Sequence, residues 1–268
     1  MNLDRLKTYG RLALRLLGLA AVVGSVLVIG LLGWQWQSSV EVEHVAVTGA
    51  RHAPADTVRH LARVDSGTVM ETIDEALVAD RVTRHPWVKT AEITKQRARG
   101  TLLIAVTERR PAAIVVDAEG RPAFYLDRAG YALPCPGCRE TTTYGTAPDS
   151  SGADVPLVRG LDAEYHPLRP VAPPSLRRAL AALADSETEP LVAELAVGAD
   201  SSVQLVTTPI GPHGAVPVRL GTGRIPDKLR QFRAFAEQVL STDTDEPVGE
   251  IDLRFDGQIV TREQPLDG

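Results

Sequence analysis

From Leu16 to Val40 the chain carries no Asp, Glu, Lys, Arg or His, and Leu, Val, Ile, Ala and Gly dominate as far as Leu32. No other stretch restricts the fold so strongly. A helix needs about 20 apolar residues to cross the hydrocarbon core of a bilayer, and the run from Leu16 to Trp36 meets that requirement. Trp34 and Trp36 close it, where an aromatic belt would meet the membrane surface. The flanks set a direction. Arg5, Lys7, Arg11 and Arg15 stand against a single Asp4 on one side, and Gln37, Ser38, Ser39 and Glu41 open the other. The basic side is the cytoplasmic one, so the C-terminal bulk is expected outside. A cleaved signal peptide has an apolar region of about 7–15 residues and a small-residue cleavage site. This run is longer and ends in Gly-Trp-Gln-Trp-Gln, so it reads as a retained single-pass anchor.

The formal net charge is −5; the basic tail contributes +3, which leaves the exported part near −8. That balance argues against nucleic acid as a partner, since such binders present a basic patch. Aromatic residues make up only 4% of the chain, so the core has to be built from Val, Leu, Ile and Ala.

After the anchor, hydrophobic periodicity predicts strand, helix, helix, strand, strand. Val40 to Thr48 alternates as a half-buried strand, ended by Gly49. Pro54 can open a helix over 54–63, with Val58, Leu61 and Ala62 inward. A second helix over 72–84, with Ile73, Ala76 and Leu77 inward, is stopped by His85-Pro86. Strands follow over 87–95 and 101–107, separated by the turn Arg97-Ala98-Arg99-Gly100. This is an α+β unit with two helices on one face of a small sheet. Further strands are expected at 112–116, 191–197, 202–208 and 216–221, and 124–130 reads as a strand running into a turn. Helices are expected over 174–185 and 227–240, the latter with Leu229, Phe232, Phe235, Ala236 and Val239 inward, and the chain closes with strand, turn, strand over 251–260. The stretch 134–156 has no periodicity and reads as a long loop or insertion.

Three strings carry a family resemblance: Val45-x-Val47-x-Gly49, His85-Pro86-Trp87-Val88-x-x-Ala91, and Leu102-x-Ile104-x-Val106-x-Glu108-Arg109-x-Pro111-x-Ala113. Together, behind one N-terminal anchor, they resemble a POTRA domain, and more narrowly that of the FtsQ (DivIB) family of bacterial cell division proteins. The turn at 97–100 departs from the family, which usually has a proline there. Leu126-Asp127, Val155 to Gly160, Leu220-Gly221 and Ile251 to Val260 continue the resemblance toward the C-terminus. The resemblance implies this layout: a cytoplasmic tail (1–15), a transmembrane helix (16–36), a POTRA domain of β-α-α-β-β order (40–110), a mostly antiparallel β domain with flanking helices (111–262) and a short tail (263–268). It also implies a non-enzymatic scaffold in the inner membrane at the division septum, which couples septal peptidoglycan synthesis to assembly of the division complex. The partners implied are FtsB, FtsL and other division proteins, with no cofactor and no small-molecule substrate.

Cys135-Pro136-Gly137-Cys138 is the one cysteine motif. A local disulfide pinning a loop in an oxidising compartment is the simplest reading. A zinc site would need four ligands, and a redox pair would need a helix starting at the motif. A membrane-anchored redox or cell-wall enzyme using Cys135 and Cys138 is the alternative function. The six histidines show no metal-ligand spacing, and His52 and His60 near Asp56 read as ion contacts on a solvated helix face. Glu108 and Asp127 read as single carboxylates without evident partners, and Arg109 and Arg110 as surface charge or domain-boundary salt bridges.

The last predicted strand, Gln258 to Arg262, is short and close to the C-terminus, which suits a sheet edge. An edge offers unpaired N–H and C=O groups to another strand. The family resemblance implies FtsB bound there by strand addition, and through it FtsL, over Arg254, Phe255, Asp256, Gly257, Gln258, Ile259, Val260, Thr261 and Arg262. Phe255 also fits the alternation of Ile251 and Leu253, so a core position competes with an interface for that ring.

Overall fold

The computed structural model describes residues 17–32, 40–135, 138, 154–242 and 247–263. Helix α1 (17–32) holds the described part of the apolar run, and its large apolar side chains are solvent-exposed. At 1.5 Å per residue its described length is about 24 Å. Among the described residues no helix is long and apolar enough to cross a membrane. Leu16, the segment 33–36 and the basic tail lie outside the described residues.

The first globular unit is a three-stranded sheet under two helices. Strand β1 (His44–Thr48) runs parallel to β3 (Thr101–Glu108), and β2 (Val88–Gln96) pairs antiparallel with β3, in the order β1-β3-β2. Leu102, Ile104 and Val106 alternate inward from the central strand. Gly49 has φ +79°, and a Cβ there would stand 2.1 Å from the Val106 carbonyl oxygen, so only glycine fits at the exit of β1. Helix α2 (Ala55–Ala62) buries Val58 and Ala62. Helix α3 (Glu75–Val82) starts later than the apolar pattern suggests, because Asp74 caps it by accepting from Leu77 N at 3.1 Å. Ile73 therefore lies before the helix. The inward face passes to Val78 and Val82, and Leu77, expected inward, is 44% exposed. The Arg97–Arg99 segment forms one 3-10 turn closed by left-handed Gly100, which supplies the reversal that a proline would otherwise shape.

The second sheet has nine strands: β4 (Pro111–Val116), β5 (Pro122–Asp127), β6 (Ala132–Leu133), β7 (Leu157–Arg159), β8 (Val192–Val197), β9 (Val203–Thr207), β10 (Pro217–Gly221), β11 (Val248–Asp252) and β12 (Val260–Glu263). Their order is β12-β11-β10-β9-β8-β7-β4-β5-β6. The pairs β4–β7, β7–β8 and β10–β11 are parallel and the other five antiparallel, so the sheet is mixed with an antiparallel majority. Helices α4 (Pro174–Asp185) and α5 (Ile225–Phe235) pack on each other and over β9 and β10. Leu176, Leu180, Leu183, Leu229 and Phe232 meet Leu195, Leu205 and Leu220 in the core beneath. One π turn (Ala236–Leu240) follows α5. It inserts an extra residue into the turn, so Leu240 is buried and Val239, expected inward, is 41% exposed.

The joint between the units explains three of the sequence signals at once. Glu108, at the end of β3, accepts the backbone N–H groups of Arg51, His52 and Ala53 at 2.8–2.9 Å, and His52 Nδ1 donates to its other oxygen at 2.8 Å. His52 stacks on Trp87 with ring centroids 4.2 Å apart. Glu108 is thus not a lone carboxylate, and His52 faces the domain interior rather than Asp56, which pairs with Arg59. The next residue, Arg109, donates its N–H to Trp87 O at 2.8 Å and its Nη1 to Asp127 Oδ2 at 2.7 Å, with its guanidinium 3.8 Å from the centre of the Tyr131 ring. Asp127 therefore also has a partner, and the Arg109 pair is largely buried. Leu133 of β6 inserts into the core of the first unit, against Trp87, Val88 and their neighbours.

Candidate partner-binding edge

Strand β12 is the outermost strand on one side of the nine-stranded sheet. It pairs antiparallel with β11 through Asp252↔Val260, Ile251↔Thr261, Glu250↔Arg262 and Val248↔Glu263. All four of its residues are exposed. A strand paired on one side directs the N–H and C=O groups of every second residue outward. The nine sequence-predicted site residues fall in two places. Arg254 to Ile259 make the turn that leaves β11, and Val260 to Arg262 lie within β12.

The turn is held by ion pairs and by one buried anchor. Leu253 is fully buried and its N–H donates to Arg219 O at 2.9 Å. The Arg254 guanidinium grips Asp252 with contacts of 2.7–3.1 Å. Those hydrogen bonds hold the Asp252 carboxyl below the usual carboxylate range, against the opposing effect of burial. Gly257 has φ +71° at the reversal. Phe255 is 52% exposed, which places its ring at the surface and not in the core. With Ile259 and Val260, also exposed, it gives the edge an apolar strip.

Charged residues surround that strip. Glu250 of β11 is held between Arg219 and Arg262, the latter at 3.0 Å. A cleft of about 770 Å³ opens beside the turn, lined by Arg219, Arg224, Lys228, Arg254, Phe255 and Asp256 among others. Arg224 Nη1 stands 3.4 Å from Asp256. Lys228 is only 6% exposed, and burial pushes its ammonium down from the ordinary lysine value while Asp256 and Asp252 oppose that shift. Sequence reasoning overlooked Arg219, Arg224, Lys228 and Glu250. Lys228 alone left a signal, because it shares the inward face of α5 with Ile225, Leu229 and Phe232.

Cys135 and Cys138 are joined in a disulfide with a Cα–Cα distance of 5.3 Å, inside the usual range. Both are buried, and Cys138 N–H donates to Cys135 O at 3.2 Å. Among the described residues no group of three His, Cys, Asp or Glu side chains could hold a metal ion. The arrangement is an exposed edge strand with apolar side chains at Phe255, Ile259 and Val260 and a charged flank.

Residues 40–109 match the POTRA domain, FtsQ-type. Over its whole length the chain is 55% identical to the cell division protein FtsQ of Salinibacter ruber, with 100% of both chains covered. It is 40% identical to the cell division protein FtsQ of Rhodothermus marinus, over 93% of this chain and 88% of the relative. The cell division protein DivIB of Geobacillus kaustophilus shares 37% identity over 28% of this chain and 29% of its own. The chain belongs to the FtsQ family of cell division proteins.

Proposed function

We propose that this cell division protein acts as a non-enzymatic scaffold whose exposed strand β12 accepts a strand from a partner. What carries the reading is the one-sided pairing of β12 with β11 at the end of the sheet, with all four of its residues exposed. A partner strand would gain main-chain hydrogen bonds along that edge. Phe255, Ile259 and Val260 would supply apolar contact, and Arg262 and Arg254 would favour acidic neighbours. The partner class is an FtsB-like division protein, with FtsL recruited through it. In this reading the Leu16–Trp36 run anchors the chain once in the inner membrane with its N-terminus in the cytoplasm. Both globular units then work outside that membrane at the septum, where they link peptidoglycan synthesis to complex assembly.

The test is capture of the FtsB-like partner by the full chain and by a chain ending at Gln258, which loses no buried described residue. Capture is expected to fail with the shortened chain while its melting temperature stays the same. Undiminished capture would remove β12 from the binding site. Replacing Cys135 and Cys138 together by Ser is expected to leave division intact, since a short ring contributes at most roughly 2 kcal/mol. Loss of division with the fold preserved would favour chemistry at the cysteines instead.

A further inference from the structure

We infer that Lys228 is a positioning residue for the exposed edge: its buried ammonium ties the end of β10 to the turn that launches β12. The inference rests on the reading of β12 as the strand acceptor. Position 228 lies on the face of α5 that elsewhere buries Ile225, Leu229 and Phe232, where an aliphatic side chain would pack. A buried cation is costly unless it is paired and hydrogen-bonded. Lys228 Nζ donates to Leu220 O at 2.7 Å, one residue before β10 ends. The adjacent carbonyl, that of Arg219, receives the N–H of Leu253, the first residue after β11. The end of β10 therefore holds α5 from one side and the start of the turn from the other.

The carboxylates that act on Lys228 are Asp256 and Asp252, both at the turn, and the cations that act on it are Arg224 and Arg254. Asp252 is already gripped by Arg254. Among the described residues, the ion pair given for Asp256 is the 3.4 Å contact with Arg224, between two exposed side chains, and such a pair adds little by itself. Lys228, at the base of the same cleft as Asp256, is the shielded countercharge for the turn. The turn's position matters because both faces of β12 are exposed and β11 is its one neighbour strand. Beyond its ladder with β11 and the Arg262–Glu250 pair, the place of β12 is set by where the turn delivers it.

The full chain is to be followed in detergent micelles by deuterium uptake, with capture of the FtsB-like partner measured in parallel. In Lys228→Met, uptake over 258–263 is expected to quicken roughly tenfold while uptake over β9 stays unchanged. Capture weakens about as much, and Lys228→Arg restores both. Unchanged uptake over 258–263 in Lys228→Met overturns the inference. Should that variant loosen the whole domain, Asp256→Asn decides, because Asp256 is exposed: quickened uptake confined to 258–263 supports the inference, and no change overturns it. If the wild-type chain captures no partner but uptake changes as described, the acceptor reading falls and the role of Lys228 stands.

Discussion

Glu108 ends β3 with one carboxylate serving three backbone N–H groups and an imidazole. Burial, the largest influence on it, pushes its pKa up. The hydrogen bonds from Ala53, His52 and Arg51 outweigh that, so the group titrates below the ordinary carboxylate value. The stability it contributes is therefore complete above the ordinary glutamate pKa, about 4.3, and is lost as pH falls toward the lower folded value. His85 acts in the same direction. Burial pushes it below the ordinary imidazole value, with Glu108 opposing, so acid charges the unfolded chain first. Stability should begin to fall below about pH 6.5 and fall more steeply below about pH 4.3. Glu108→Ala should cost roughly 2 kcal/mol at neutral pH, because it strands the part-buried donors of His52 and Ala53. Denaturant titrations of residues 40–263 across pH check both, and Glu108→Ala should flatten the lower, steeper limb.

At the scale of elements, the joint and the edge show where reasoning from sequence succeeds and where it stops. Helix α4 matches its predicted span over 174–185, since Pro174 opens it and Leu176, Leu180 and Leu183 repeat on one face. Strand β3 alternates without interruption and is equally legible. Helix α3 and the π turn after α5 are displaced by one local event each, a cap at Asp74 and an extra residue at 236–240. Neither event leaves a period in the sequence. Strand β6 is two residues long, too short for any pattern, yet it delivers Leu133 into the core of the first unit. Leu133→Ala should destabilise that unit by roughly 2–5 kcal/mol, although the residue belongs to the chain beyond it. Asp127→Ala should cost roughly 3 kcal/mol by leaving the buried Arg109 guanidinium without its carboxylate. Thermal unfolding of residues 40–263 is the check. Wild type should melt in one transition and each variant should separate the two units.

For the whole molecule, the proposed function places its weight on the two ends of the chain. The proposed anchor and its orientation rest on sequence alone, on a charge-free run preceded by basic residues, a pattern that needs no tertiary information to read. The edge was legible only in part. Alternation located a terminal strand, but not that Phe255 turns outward, nor that Arg219 and Lys228 line the cleft beside it while Glu250 pairs with Arg219 and Arg262. Those neighbours come from pairing β10 with β11 in parallel across the intervening α5, a long-range contact that no local pattern encodes. The orientation predicts that alkaline phosphatase fused after Glu263 is active in cells and that the same enzyme fused before Met1 is not. The reverse activities would invert the topology. The most direct test of the acceptor edge is photocross-linking in dividing cells, with benzoylphenylalanine placed at Thr261 on β12 or at exposed Arg178 on α4. Adducts to a small FtsB-like protein are predicted from position 261 and none from 178. Adducts from 178 with none from 261 would contradict strand capture at β12.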